Sequence, residues 1–205
     1  MSILGWSPGN DLEIFDKEFA INNFDLKNVL ANPAIFDTQK LLWMNGQYIR
    51  EFDEKTFNKI ALETIETSLS RELFSEEIER INLILSVVQE RLETLKDLMG
   101  QVEFLLDEPF NVDKDEWEEV NSKSAQDYLT NIRNEFKTMK DFELDKIETM
   151  MREQLKKLDL KPKEGFQAAR VAITGTKISP PLFESIYALG QSSTIARIAE
   201  KIDNL

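Results

Sequence analysis

The chain has 205 residues, 41% hydrophobic and 31% charged, and a formal net charge of −13. That is enough apolar material for one or two domains. The absence of cysteine and histidine excludes disulfides, thiolate nucleophiles and cysteine-type zinc sites, together with the commonest general base and metal ligand.

No GxxxxGK[ST] or GxGxxG loop is present to cradle a phosphate. The 38 acidic residues are scattered as on solvated helix faces rather than paired for catalysis. The chain therefore reads as a binding module without chemistry of its own. The start, MSILGWSPG, has no basic n-region, and its apolar run breaks at Gly5 and Pro8. No transmembrane span is expected, and the expected compartment is the cytosol.

In chain order, the first segment, to residue 57, consists of short elements separated by turns. SPGND is a turn, Asp16 is a plausible N-cap for a short helix over 15–24, and Asp37 caps a helix through TQKLLWMNGQYI. Gly46 interrupts that helix and permits close approach by another backbone. Ile3, Leu4 and Trp6 read as exposed apolar residues on a mobile segment.

The second segment, 58–160, is strongly periodic. Ser75 with Glu76 and Glu77 starts a helix, and Ile78, Ile81, Leu85, Val88, Leu92 and Leu95 then form one apolar stripe. A second helix, from Ser122 or Ser124, shows Ala125, Leu129, Ile132, Phe136 and Met139. A third shows Leu144, Ile147, Met151, Leu155 and Leu158. The joint LLDEPFNVDKDEWEEV is too acidic and broken to be core. The helices can pack as a bundle, with a two-stranded coiled coil as the competing reading.

The third segment, 161–205, opens after LKPKEG. FQAARVAITG is a helix opening or a short extended run, since Val171, Ile173 and Thr174 favour strands and Ala168, Ala169 and Ala172 favour helices. Ser179 then stands as N-cap before Pro180 and Pro181. Leu182, Phe183, Ile186 and Leu189 form a buried side, Gly190 ends that helix, and Ser192 or Ser193 starts a last one. The fold class expected is all-α.

Charge is unevenly spread. Residues 1–57 carry 5 basic and 9 acidic side chains, 58–160 carry 14 and 25, and 161–205 carry 6 and 4. Before the prolines, Lys161, Lys163, Arg170 and Lys177 face only Glu164 in the local sequence, the best place for a phosphate or an RNA strand. The overall acidity argues against indiscriminate nucleic-acid binding.

The stretches ILGWSPGNDLEIF, FDLKNVLANPAIFDTQKLLWMNGQYI, QERLETLKDL and RVAITGTKISPPLFESIYALG occur in this order in bacterial-type glutamyl-tRNA synthetases, which the chain resembles over nearly its whole length. The resemblance implies the C-terminal portion of such an enzyme. Residues 1–57 would be a stem-contact segment following the class I catalytic domain. Residues 58–160 and 161–205 would be the two parts of a helical anticodon-binding region.

By the same resemblance Arg170, Ser179, Pro180, Pro181 and Leu182 hold the anticodon loop, and Arg91, with Thr94 beside it, inspects the third anticodon base. Lys40, Trp43 and Asn45, next to Gly46, lie near the inner corner of the tRNA. A helix N-terminus offers free amides to phosphate, an arginine pairs with phosphate or a base edge, and the prolines with Leu182 offer an apolar surface to an unstacked base. The implied partner is glutamate tRNA, bound by a monomer, with no DNA and no membrane. ATP and magnesium would serve the full-length enzyme, and no cofactor this chain. The alternative from the residues alone is an acidic helical scaffold that dimerises through an exposed 78–95 stripe.

Overall fold

The structure, a computed structural model, describes residues 5–9, 12–29, 37–107 and 110–203. The expectations for Ile3 and Leu4, and for the last two residues of the SPGND turn, lie outside the described residues. Among those described there are twelve α-helices and no strand, only an isolated antiparallel bridge between Trp6 and Val29. No helix among them is long and apolar enough to cross a membrane.

The N-terminal part is held by aromatic contact. Asp16 caps α1 (Lys17–Asn23) by accepting from the Phe19 amide at 2.7 Å. Trp6 packs against Phe15 and Phe24 at centroid distances of 5.8 and 5.6 Å and is 3% exposed. The expectation of an exposed Trp6 is therefore corrected: Phe15 and Phe24, distant in the sequence, close over it. Asp37 caps α2 (Thr38–Arg50) as expected, and α2 runs unbroken through Gly46.

A helix the sequence reading passed over follows, α3 (Glu54–Leu69), capped by Asp53 and burying Phe57, Ala61 and Ile65. The 75–95 stripe is not one helix. It divides into α4 (Ser75–Asn82), α5 (Leu85–Gln89) and a 3-10 turn at Leu95–Asp97. The chain turns at Leu83 and Ile84, which buries Ile84, a residue off the stripe, beside Ile81, Leu85, Val88 and Leu92. Ser75 does not cap α4 either. Glu77 does so, accepting from the Phe74 amide at 2.9 Å while pairing bidentately with Arg71.

The joint expected to lie outside the core contributes to it. After α6 (Leu98–Val102), Phe104, Leu105 and Leu106 are buried, and Phe110, Trp117 and Val120 pack on the core from α7 (Lys114–Val120) and the segment before it. Acidic residues dominate the composition there, but the few apolar ones share one side. The Ser122 hydroxyl caps α8 (Lys123–Thr138), and α9 (Leu144–Lys157) packs against it with the Tyr128 hydroxyl donating to the Met151 carbonyl at 3.2 Å.

FQAARVAITG lies in a helix, α10 (Pro162–Thr174). Helix wins over strand because Gly165, Ala168, Ala169 and Ala172 make a small-residue face that packs closely; a Cβ at Gly165 would collide with Leu155. The last two helices are α11 (Leu182–Leu189) and α12 (Gln191–Asp203), with α12 packed along α8 and α10. Arg197 fastens this region, donating to the carbonyls of Ile173 and Phe104, each at 2.6 Å, and lying 3.8 Å over the Phe110 ring. One apolar cluster runs from Ile49 to Ile198, and it contains the stripe that a dimerising scaffold would have to expose.

Candidate nucleic-acid interface

Arg91 sits on the turn that leaves α5, and α2 holds that turn from beneath. The Gln89 side-chain amide donates to the carbonyls of Ile49 and Phe52 at 2.9 and 3.0 Å. Arg50 donates to the Glu90 carbonyl at 3.3 Å and Asn45 to the Glu93 carbonyl at 2.5 Å, one on each side of Arg91. Gly46 makes this approach possible, since a Cβ there would lie 2.9 Å from the Leu92 carbonyl oxygen. The Arg91 side chain is exposed and makes no hydrogen bond or ion pair among the described residues. Thr94 is occupied: its amide and hydroxyl both donate to the Asp97 carboxylate at 2.9 Å.

The second turn joins α10 to α11. Gly175 ends α10 with φ +88°, and its missing side chain leaves room for the Asn111 carbonyl, which a Cβ would meet at 2.5 Å. The Asp113 amide donates to the Gly175 carbonyl at 2.9 Å. The Thr176 hydroxyl donates to the Ile178 carbonyl at 2.8 Å, and the Lys177 amide donates to the Glu116 carboxylate at 2.5 Å. Arg170 closes the turn. Its Nη1 donates to the Ser179 hydroxyl and the Pro180 carbonyl, each at 2.5 Å, and to the Ser179 carbonyl at 3.3 Å. Burial of this guanidinium, and secondarily the charge of Arg91, push its pKa down, against the pull of Glu184.

Two arginines separated by 79 positions in the sequence are thus near enough to feel each other's charge. Between their turns runs an open groove of about 750 Å³ whose lining includes Arg91, Glu93, Lys96, Glu103, Thr176 and Ile178. Lys96 and Ile178 were not singled out from the sequence. The signal for Ile178 was present, since it is an isoleucine inside a turn and belongs to no apolar stripe.

Other expectations are corrected. Ser179 does not cap α11; its hydroxyl serves Arg170, Pro181 takes the N-cap position, and no side chain caps that helix. Ser179 is 4% and Leu182 5% exposed, and Pro180 is buried, so only Pro181 of that group remains half-exposed. Leu182 goes inward because the first turn of α11 presents it to the core with Ile186 and Leu189. Lys40, expected to reach phosphate, pairs with Glu13 at 2.6 Å. Asn45 supports the Arg91 turn, and Trp43 is exposed.

Packing also redraws the charge map of the tail. The Lys177 ammonium pairs with Glu119, and Lys161 and Lys163 share a shallow cavity of about 340 Å³ with Glu119 and Glu164. Acidic α7 therefore faces the cationic lead-in that had looked isolated. Among the described residues no group of acidic side chains is arranged to hold a metal ion.

A family model described as the anticodon binding domain matches residues 47–202. Similar proteins include a glutamate–tRNA ligase of Kocuria rhizophila, 35% identical over 97% of this chain and 40% of its own length. Another, from Symbiobacterium thermophilum, is 32% identical over 97% of the chain and 42% of its own. The chain thus spans about 40% of the length of the curated relatives it matches. In fold it is similar to a glutamate tRNA ligase from Elizabethkingia meningosepticum, with a TM-score of 0.81 at 22% identity, covering 100% of this chain and 40% of that one. With its helices, its two opposed turns and this match across three quarters of its length, the chain belongs to the anticodon-binding domain family, and its curated relatives are glutamate–tRNA ligases.

Proposed function

We propose that the chain is the tRNA-binding C-terminal part of a glutamate–tRNA ligase, and that it recognises the anticodon loop of glutamate tRNA so that the acceptor end reaches the ligase's active site. The observation that carries this reading is one groove lined by Arg91 and by the Thr176–Ile178 turn, beside which Arg170 lies close enough to feel the charge of Arg91. The Arg91 guanidinium, exposed and without a hydrogen-bond or ion-pair partner among the described residues, has its donors available for a base edge. Arg170 keeps Nε and Nη2 out of any hydrogen bond among the described residues while Nη1 holds the turn. Phosphate contacts orient the loop and base-edge hydrogen bonds discriminate.

In this reading the chain acts as a monomer and needs no cofactor. ATP and magnesium belong to the adenylation step of the whole ligase. The scaffold alternative would require the 78–95 stripe at the surface, and Ile81, Leu85, Val88 and Leu92 are each at most 1% exposed.

The test is a salt titration of binding to glutamate tRNA and to a control tRNA with a different anticodon, using wild type, Arg170→Ala and Arg91→Ala. Wild type should prefer glutamate tRNA, with affinity falling steeply as salt rises. Arg170→Ala should weaken binding, and Arg91→Ala should erode the preference by roughly tenfold, the worth of one good base contact. Equal or absent binding to both tRNAs at low salt would refute the proposal.

A further inference from the structure

Ile178 is 77% exposed, and among the described residues after Val29 no large apolar side chain is more exposed. Burying an isoleucine is worth about 1.5–3 kcal/mol, so a pliable turn would tuck it away. This turn is held at every neighbouring position. Gly175 is fixed by Asp113, the Thr176 hydroxyl binds the Ile178 carbonyl, Lys177 is fastened to Glu116 and Glu119, and Ser179 is gripped by Arg170. The exposure is therefore imposed by the fold, and it points the residue into the groove shared with Arg91 and Lys96.

The groove's polar lining narrows what could cover Ile178. Arg91 and Lys96 supply donors, while Glu93 and Glu103 supply acceptors. A bare phosphate would be repelled by the carboxylates. A splayed nucleobase fits both demands, because it has an apolar face and an edge carrying donors and acceptors together. Apolar side chains are used in this way, set against or between bases. We propose that Ile178 packs against the face of an unstacked anticodon-loop base whose edge is read by Arg91 and the carboxylates beside it, the apolar contact that buried Leu182 does not supply. The inference rests on the function proposed above and adds a residue to it.

The probe is the anticodon stem-loop of glutamate tRNA, with 2-aminopurine placed in turn at each of the three anticodon positions. It is titrated with the whole chain as wild type, Ile178→Ser, Ile178→Leu and Arg91→Ala, and thermal unfolding is recorded for each. Ile178→Ser should weaken binding about tenfold and abolish the fluorescence change at one position. Ile178→Leu should retain both, and unfolding should be unaltered because the side chain is outside the core. If Arg91→Ala weakens binding but Ile178→Ser matches wild type in affinity and fluorescence, Ile178 is no base contact and the inference falls while the function stands. If wild type fails to bind the stem-loop at low salt, the functional reading falls and takes the inference with it.

Discussion

The Arg91 turn and the Arg170 turn face each other across the groove, and both are held by side chains donating to backbone carbonyls, but from opposite sides. Around Arg91 the donors come from α2 and α5, through Asn45, Arg50 and Gln89, and the arginine projects free. Around Ser179 and Pro180 the donor is Arg170 itself, half-buried and pulled into the turn it would otherwise only decorate. Two residues of one type, assigned similar roles from the sequence, thus divide the work. One is presented by the scaffold, and the other is part of the scaffold that holds the facing turn.

The largest expected effect should strike both turns alike. Glu77 is 0% exposed, pairs bidentately with Arg71, and accepts from the amides of Phe74 and Asp107 at 2.9 Å. Glu77→Ala leaves the Phe74 and Asp107 amides without their acceptor and removes the bidentate carboxylate from the half-buried Arg71, and should cost about 3–5 kcal/mol by urea unfolding. These interactions hold its carboxyl at about 2, against an ordinary 4.5. A folded-state pKa depressed in this way contributes stability that is complete above pH 4.5 and is lost as pH falls toward 2. Glu77→Gln should flatten that part of the acid-unfolding curve, and a curve identical to wild type would remove Glu77 from the account.

Gly175→Ala should separate the turns. It places a side chain at φ +88° and within 2.5 Å of the Asn111 carbonyl. Strain and displacement together should cost about 3 kcal/mol, lowering Tm by roughly 6–12 °C. Amide exchange should quicken over 175–181 and stay unchanged over 89–97. Loosening in both places would show that the turns are one unit.

The finest distinction compares the arginines. Arg170→Ala removes the donor to the Ser179 carbonyl and the shortest of the hydrogen bonds to the Pro180 carbonyl, and should cost about 2 kcal/mol of stability. Arg91→Ala should stay within about 0.5 kcal/mol, as surface changes do. Equal losses in thermal unfolding would contradict the division of roles.

Much of the fold was legible in the sequence. Asp16, Asp37 and Ser122 cap the helices they were expected to cap, and most members of the apolar stripes are buried, with Ile78, Leu95, Met139 and Leu144 at the margins, because capping and periodicity act within a few residues. Legibility failed where a distant group competed. Ser179 was read as a cap, but Arg170 claims its hydroxyl; Ser75 was passed over in favour of the buried Glu77, which pairs with Arg71. Residues 54–69, rich in Thr and Glu, form a helix whose buried side of Phe57, Ala61 and Ile65 is too sparse to stand out in the sequence.

The same division holds for the candidate site. The amino-acid sequence by itself determined an all-helical chain without cysteine or histidine chemistry and marked Arg170 by its cationic surroundings, since composition and local pattern depend only on neighbours along the chain; Arg91 was marked by the family resemblance alone. Tertiary structure decided which charges stay free and which apolar groups meet solvent. It set α7 against Lys177, Glu13 against Lys40, Arg91 opposite Arg170, and left Ile178 exposed while Leu182 turned inward. Those outcomes depend on distances between groups far apart in sequence, and such distances exist only once the helices have packed.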